Sequence, residues 1–149
     1  MISSVLSNCT GLGRIALAAV FMVSSTCAVA QPACQAQSSA GYSPEQAERG
    51  KAIFESHCAV CHGATLAGAA GPPLAGEDFA SYLDFSKITA AQLLHFIMTQ
   101  MPYNAPGSLP KASYEAVFAY ILSVNKYPAG EQSLNESNVA CVKLLPHPE

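Results

Sequence analysis

Apolar residues recur at a helical period in three stretches of the chain, and runs rich in proline and glycine separate them. The clearest stretch is residues 111 to 125. There Tyr114, Val117, Phe118, Ile121 and Leu122 fall at i, i+3, i+4, i+7 and i+8, one stripe of a helix. Pro128 and Gly130 stop it. A second helix opens at Thr89-Ala90-Ala91-Gln92, a spacing that lets Thr89 and Gln92 cap each other's backbone amides. It carries Leu93, Leu94, Phe96, Ile97 and Met98 and ends before Pro102. The earliest of the three begins at Ser43, whose hydroxyl can accept from an unpaired amide of the first turn. Pro44 is harmless at the next position, and Glu45, Gln46 and Glu48 suit the positive end of the helix dipole. This helix is expected to reach about His57.

The connections are as informative as the helices. Residues 63 to 79 include Gly68, Gly71, Pro72, Pro73 and Gly76, and residues 102 to 110 include Pro102, Pro106 and Pro110. Loops this long in a small domain wrap something or perform a function. No alternating strand pattern and no internal repeat appear. The expected fold class is all-α, three main helices with long Pro/Gly loops.

The ends read differently. Residues 15 to 23 are an apolar run with Arg14 ahead and Ala28-Val29-Ala30 behind. That is the pattern of a secretory signal peptide over residues 1–30, and the run is too short to span a bilayer. An acylated Cys27 is the weaker alternative, since Ser24-Ser25-Thr26 lacks the leucine-like residue such a signal carries. Residues 31–42 read as an extended arm, 43–128 as the domain, and 129–149 as a polar tail. Cleavage after Ala30 removes Arg14, leaving six Lys and Arg against ten Asp and Glu. That balance argues against nucleic acid as a partner. No other segment is apolar enough to be transmembrane. Export places the chain in the periplasm, an oxidising compartment where disulfides persist.

The chemistry lies in Cys58-Ala59-Val60-Cys61-His62, the C-x-x-C-H pattern of c-type haem attachment. Two thiols at this spacing can add to the two vinyl groups on one edge of a porphyrin. The next residue then lies under the ring, where an imidazole can bind iron. A thioredoxin-like redox pair is the first rival, but no βαβ pattern surrounds the motif. Half a zinc site is the second, but no matching second pair exists. An ordinary disulfide leaves His62 unexplained. A haem iron in an electron carrier takes a sixth ligand, and Met raises its potential. Met101 precedes Pro102 and opens a loop from which its side chain can reach the other haem face. Met98 stands at helical spacing from Leu94 and reads as core. His95 falls within the helix and reads as a surface or rim residue. Met101 is therefore the preferred ligand.

With these residues in view, the chain resembles a class I monohaem c-type cytochrome of the bacterial periplasmic kind over about residues 45 to 128. Gly50-Lys51-Ala52-Ile53-Phe54 before the haem motif resembles the family's first helix. The resemblance implies that Gly50 and Phe54 pack against the last helix at Tyr120. Gly71-Pro72-Pro73-Leu74 resembles the proline loop, where the carbonyl of Pro72 or Pro73 would accept the second ring N–H of His62. Met101-Pro102 through Gly107-Ser108-Leu109 is similar to the stretch in small cytochromes associated with quinoprotein dehydrogenases, which again implies Met101 as ligand. Pro110 stands where that group often has a capping Ser or Thr, so the helix start is open to a shift.

The cysteines outside the motif, Cys34 and Cys141, lie in the two extensions. If the first and last helices cross, both chain ends reach one side, and a Cys34–Cys141 disulfide would pin them. His57 is expected at the exposed end of its helix. Tyr42, Tyr82, Tyr103 and Tyr127 are all candidates for contact with the haem. The functional expectation is a periplasmic electron carrier with one covalent haem c. Its implied partners are a dehydrogenase as donor and a cytochrome or terminal oxidase as acceptor. The rivals are a fixed haem subunit of a dehydrogenase complex and a haem enzyme or sensor with a displaceable sixth ligand.

Overall fold

In the computed structural model, the described residues are Cys34 and 41–148. The expected signal peptide and most of the expected arm lie outside them. Five helices follow in order: α1 (Pro44–His57), α2 (Ala59–His62), α3 (Gly76–Ser86), α4 (Ala90–Gln100) and α5 (Lys111–Val124). A single 3₁₀ turn, Val139–Cys141, follows in the tail. No strand occurs among the described residues. The three predicted helices are all present, and α2 and α3 are additions to them.

Local signals account for the ends. Ser43 accepts a hydrogen bond from the Gln46 amide, and Pro44 occupies the first helical position of α1. The capping box at α4 is complete, with Thr89 and Gln92 bonded to each other's backbone. Helix α5 starts at Lys111 with Pro110 as its cap and no side-chain hydrogen bond there. The helix thus starts where the sequence pattern places it, at residue 111.

The core forms where α1 crosses α5. Gly50 makes the close approach possible: a Cβ there would sit 1.8 Å from the Ala116 carbonyl oxygen and 3.0 Å from Tyr120 Cβ. One turn on, Phe54 is fully buried and meets the Tyr120 ring at a centroid distance of 5.5 Å, tilted by 60°. Phe118, Leu122 and Leu94 complete the buried centre.

The tail is part of this core. Leu134, Val139 and Leu144 are buried. The Gln46 side chain behaves like a strand partner, donating to the Leu134 carbonyl at 2.8 Å and accepting from the Leu134 amide at 2.7 Å. Tyr42 donates to the Tyr127 carbonyl at 2.6 Å, and Tyr127 donates to the Leu144 carbonyl at 2.6 Å. Cys34 and Cys141 meet with Cα atoms 5.5 Å apart. Among the described residues no helix is long and apolar enough to cross a membrane.

Candidate functional site

Helix α2 is a single turn that begins immediately after α1. Cys58 is the hinge between them, donating its amide to the Phe54 carbonyl at 2.8 Å. Gly63 ends the turn at φ 77, a left-handed conformation that suits glycine. The chain then folds back on the motif: Gly68 N donates to the His62 carbonyl at 2.9 Å and Gly71 N to the Cys61 carbonyl at 2.7 Å. A side chain at Gly71 would crowd the ring, since a Cβ would lie 3.1 Å from His62 Cε1. These contacts set the imidazole, which is only 8% exposed. Its Nδ1 lies 2.8 Å from the Pro72 carbonyl. A carbonyl only accepts, so Nδ1 carries a proton, and in the neutral ring that leaves the lone pair on Nε2. Of the two predicted acceptors, Pro72 makes the bond; Pro73 lines the same wall without it.

Cys58, Cys61, His62, Pro72 and Met101 all face one cavity of about 1060 Å³. Sites for small molecules run to roughly 1,000 Å³, whereas packed interiors hold few voids larger than a water. Phe54, Phe79, Leu93, Val117 and Ile121 make the walls apolar. Asp78 is the acidic side chain of the lining, which holds no Lys or Arg. Both motif cysteines are unpaired and half-buried. Burial pushes the Cys58 thiol up to about 11, with the neighbouring Cys61 adding to the effect. A redox-active C-x-x-C pair has its thiol pKa lowered, so the direction here is opposite. Among the described residues no three or more His, Cys, Asp or Glu side chains gather as a metal cluster. Two thiols, a half-committed imidazole and a thioether around a large apolar slot fit a covalently attached haem.

Met101 closes α4 in extended geometry and faces this cavity, whereas Met98 packs against the helical core. Tyr114 on α5 holds the Met101 backbone, donating to its carbonyl at 2.7 Å, and also accepts from the Leu109 amide at 3.1 Å. His95 is exposed on α4, and His57 is exposed at the cavity edge. The four candidate tyrosines separate: Tyr82 and Tyr103 line the cavity, while Tyr42 and Tyr127 anchor the tail. Sequence reasoning missed α3, which contributes Asp78, Phe79 and Tyr82. The signal for it was Glu77 and Asp78 ahead of Phe79 and Leu83, acidic residues at a helix start followed by an i, i+4 apolar pair.

Comparison with known proteins agrees with this geometry. The chain is 31% identical over 104 residues to dihydro-heme d1 dehydrogenase of Pseudomonas aeruginosa, a match covering 66% of this chain and 19% of that protein. It thus spans about a fifth of that relative's length. In fold it is similar to a chain of the sulfane dehydrogenase SoxCD from Paracoccus pantotrophus. The TM-score is 0.53 at 24% identity, over 91% of this chain and 68% of that one. Residues 45–121, which carry the C-x-x-C-H motif, the proline loop and Met101, match the family described as cytochrome c oxidase, cbb3-type, subunit III. The chain belongs to this family of c-type cytochrome domains, which serve haem-based electron transfer.

Proposed function

We propose that this chain is a periplasmic electron carrier that would hold one haem c through thioethers at Cys58 and Cys61, with His62 and Met101 as the iron ligands. Bound there, the haem would supply a one-electron ferric/ferrous couple. The protein's own part is orientation and tuning. The Pro72 carbonyl fixes the His62 tautomer, presents Nε2 for ligation and makes the ring a better donor. The Met101 thioether on that iron would favour its reduced form and raise the potential. Two side-chain ligands leave no iron position for a substrate, which favours a carrier over a haem enzyme or sensor. The observation that carries this reading is that the two unpaired thiols, His62 and Met101 all line one apolar cavity of about 1060 Å³. Replacing Met101 with alanine is expected to abolish the low-spin, Met-ligated spectrum and lower the potential, while Met98→Ala lowers stability alone. The reverse result transfers the ligand role to Met98.

Export through cleavage of residues 1–30 and a Cys34–Cys141 disulfide belong to the same proposal. Bridged cysteines have Cα separations of about 4.4–6.8 Å, and the 5.5 Å here supports the pairing. Two reactive thiols beyond the haem motif in denatured, unreduced protein would refute it. Electrons would arrive from a dehydrogenase and leave to another cytochrome or a terminal oxidase. A second reading, a fixed subunit of a dehydrogenase complex, is favoured by the match to a segment of a much longer dehydrogenase. Size exclusion of the native protein separates the two: a carrier elutes at its own mass, a subunit with its enzyme.

A further inference from the structure

The carbonyl that orients His62 belongs to a loop held from the far end of α5. Asn125 caps that helix and is only 3% exposed. Its side-chain nitrogen donates to the Ile121 carbonyl, four residues back, and to the Leu74 carbonyl, each at 2.8 Å. Its Oδ1 is buried without a partner. Turning the amide over would face that oxygen against two carbonyl oxygens, so the two acceptors fix the orientation. A buried unsatisfied acceptor is costly, and the side chain is held in this pose by its donors.

Leu74 lies two residues beyond Pro72. Its own amide donates to the Leu66 carbonyl at 2.8 Å, and Leu66 is fully buried with φ 61. Together with the bonds from Gly68 to His62 and from Gly71 to Cys61, the segment from Cys61 to Leu74 is tied to itself and to the haem motif. Asn125 ties that unit to α5.

We propose that Asn125 is a positioning residue for the iron. By holding the Leu74 carbonyl, it keeps the Pro72 carbonyl in line with His62 Nδ1–H and so sets how strongly His62 donates to iron. This rests on the reading of His62 as a haem ligand. Few side chains can do the same. A serine hydroxyl can bond back to Ile121, the i−4 carbonyl, but is too short for Leu74, and alanine reaches neither.

The test uses full-length holoprotein in four forms: wild type, Asn125→Ala, Asn125→Ser and Leu134→Ala. The last removes a buried side chain of the tail and controls for lost stability. Two quantities are measured: the deuterium exchange rate of the His62 Nδ1 proton by NMR, and the midpoint potential. Both Asn125 variants are expected to exchange roughly tenfold faster, the effect of losing about one hydrogen bond of local stability. Their potential is expected to rise as His62 becomes a weaker donor. Leu134→Ala is expected to melt earlier and move neither quantity. Asn125→Ser keeps the helix cap and gives the answer if Asn125→Ala does not fold. Unchanged exchange and potential in the Asn125 variants, or an equal change in Leu134→Ala, would overturn the proposal. A wild-type protein without haem would instead overturn the haem reading, so the two failures are distinct.

Discussion

Replacing Tyr114 with phenylalanine deletes one oxygen atom on the side of the cavity that carries Met101. Tyr114 is 3% exposed, and its hydroxyl spans the loop from residue 101 to 109 through the Met101 carbonyl and the Leu109 amide. The Met101 carbonyl keeps a second partner, the Gly107 amide at 3.1 Å, so its loss is one ordinary hydrogen bond, about 1 kcal/mol. Leu109 is half-buried, and its amide left unpaired adds about 1 kcal/mol, the low end for a group that water can partly reach. The total of about 2 kcal/mol corresponds to a fall of roughly 8 °C in Tm for a domain of this size. Thermal unfolding followed by haem absorbance and circular dichroism measures it. The loss should be local: amides of residues 107 and 109 exchange faster, those of α1 do not, and the spectral signature of the proposed Met101 ligation weakens. Tyr120→Phe is the control, because its ring packs on Phe54 and the hydroxyl donates no hydrogen bond among the described residues. A Tyr114→Phe protein that melts with wild type and keeps its Met101 signature would refute the reasoning.

Gly50→Ala should destabilise by about 2 kcal/mol. Alanine gains about 1 kcal/mol of helix propensity, but its Cβ would fall 1.8 Å from the Ala116 carbonyl oxygen, where contacts under 3.0 Å are essentially never seen. Gly76→Ala, at φ 78 with open space around it, should cost only about 1 kcal/mol of left-handed strain. A reversed order of Tm values would contradict the α1–α5 crossing. Burial pushes Tyr127 up to about 12 and Tyr42 upward as well. The stability Tyr127 contributes is therefore complete below the ordinary tyrosine value near 10 and is lost as pH rises through about 12. An alkaline titration of tyrosinate absorbance should show a component near pH 12 that Tyr127→Phe removes, with the Leu144 segment released over the same range. Absence of that component would count against the buried tail anchor.

What could be read in advance follows from how local each signal is. The haem motif, the Ser43 cap, the Thr89–Gln92 box and the α5 stripe are all written within a few residues. The different positions of Met101 and Met98 are equally local, because the residue before Pro102 leaves the helix while Met98 stays on its packed face. Helix α3 escaped notice because it lacks ordinary punctuation. Its cap is Ala75 with no side-chain bond, it opens on a glycine, and it ends on Lys87 in a left-handed conformation where glycine is usual. The tail looked like polar coil because Leu134, Val139 and Leu144 have no period. Its order comes from bonds across the fold, such as that of Gln46 with Leu134, 88 residues away in sequence. Tyr114 and Asn125 were invisible as positioning residues for the same reason. Their partners, Met101 and Leu74, are reached only once α5 has packed.

The most direct measurement of the central claim is the intact mass of the purified, exported protein together with its absorption spectrum in alkaline pyridine. The account predicts a coloured protein heavier than its polypeptide by one haem, with the pyridine spectrum of a haem whose two vinyl groups have both become thioethers. A colourless protein with the mass of the bare chain would contradict it.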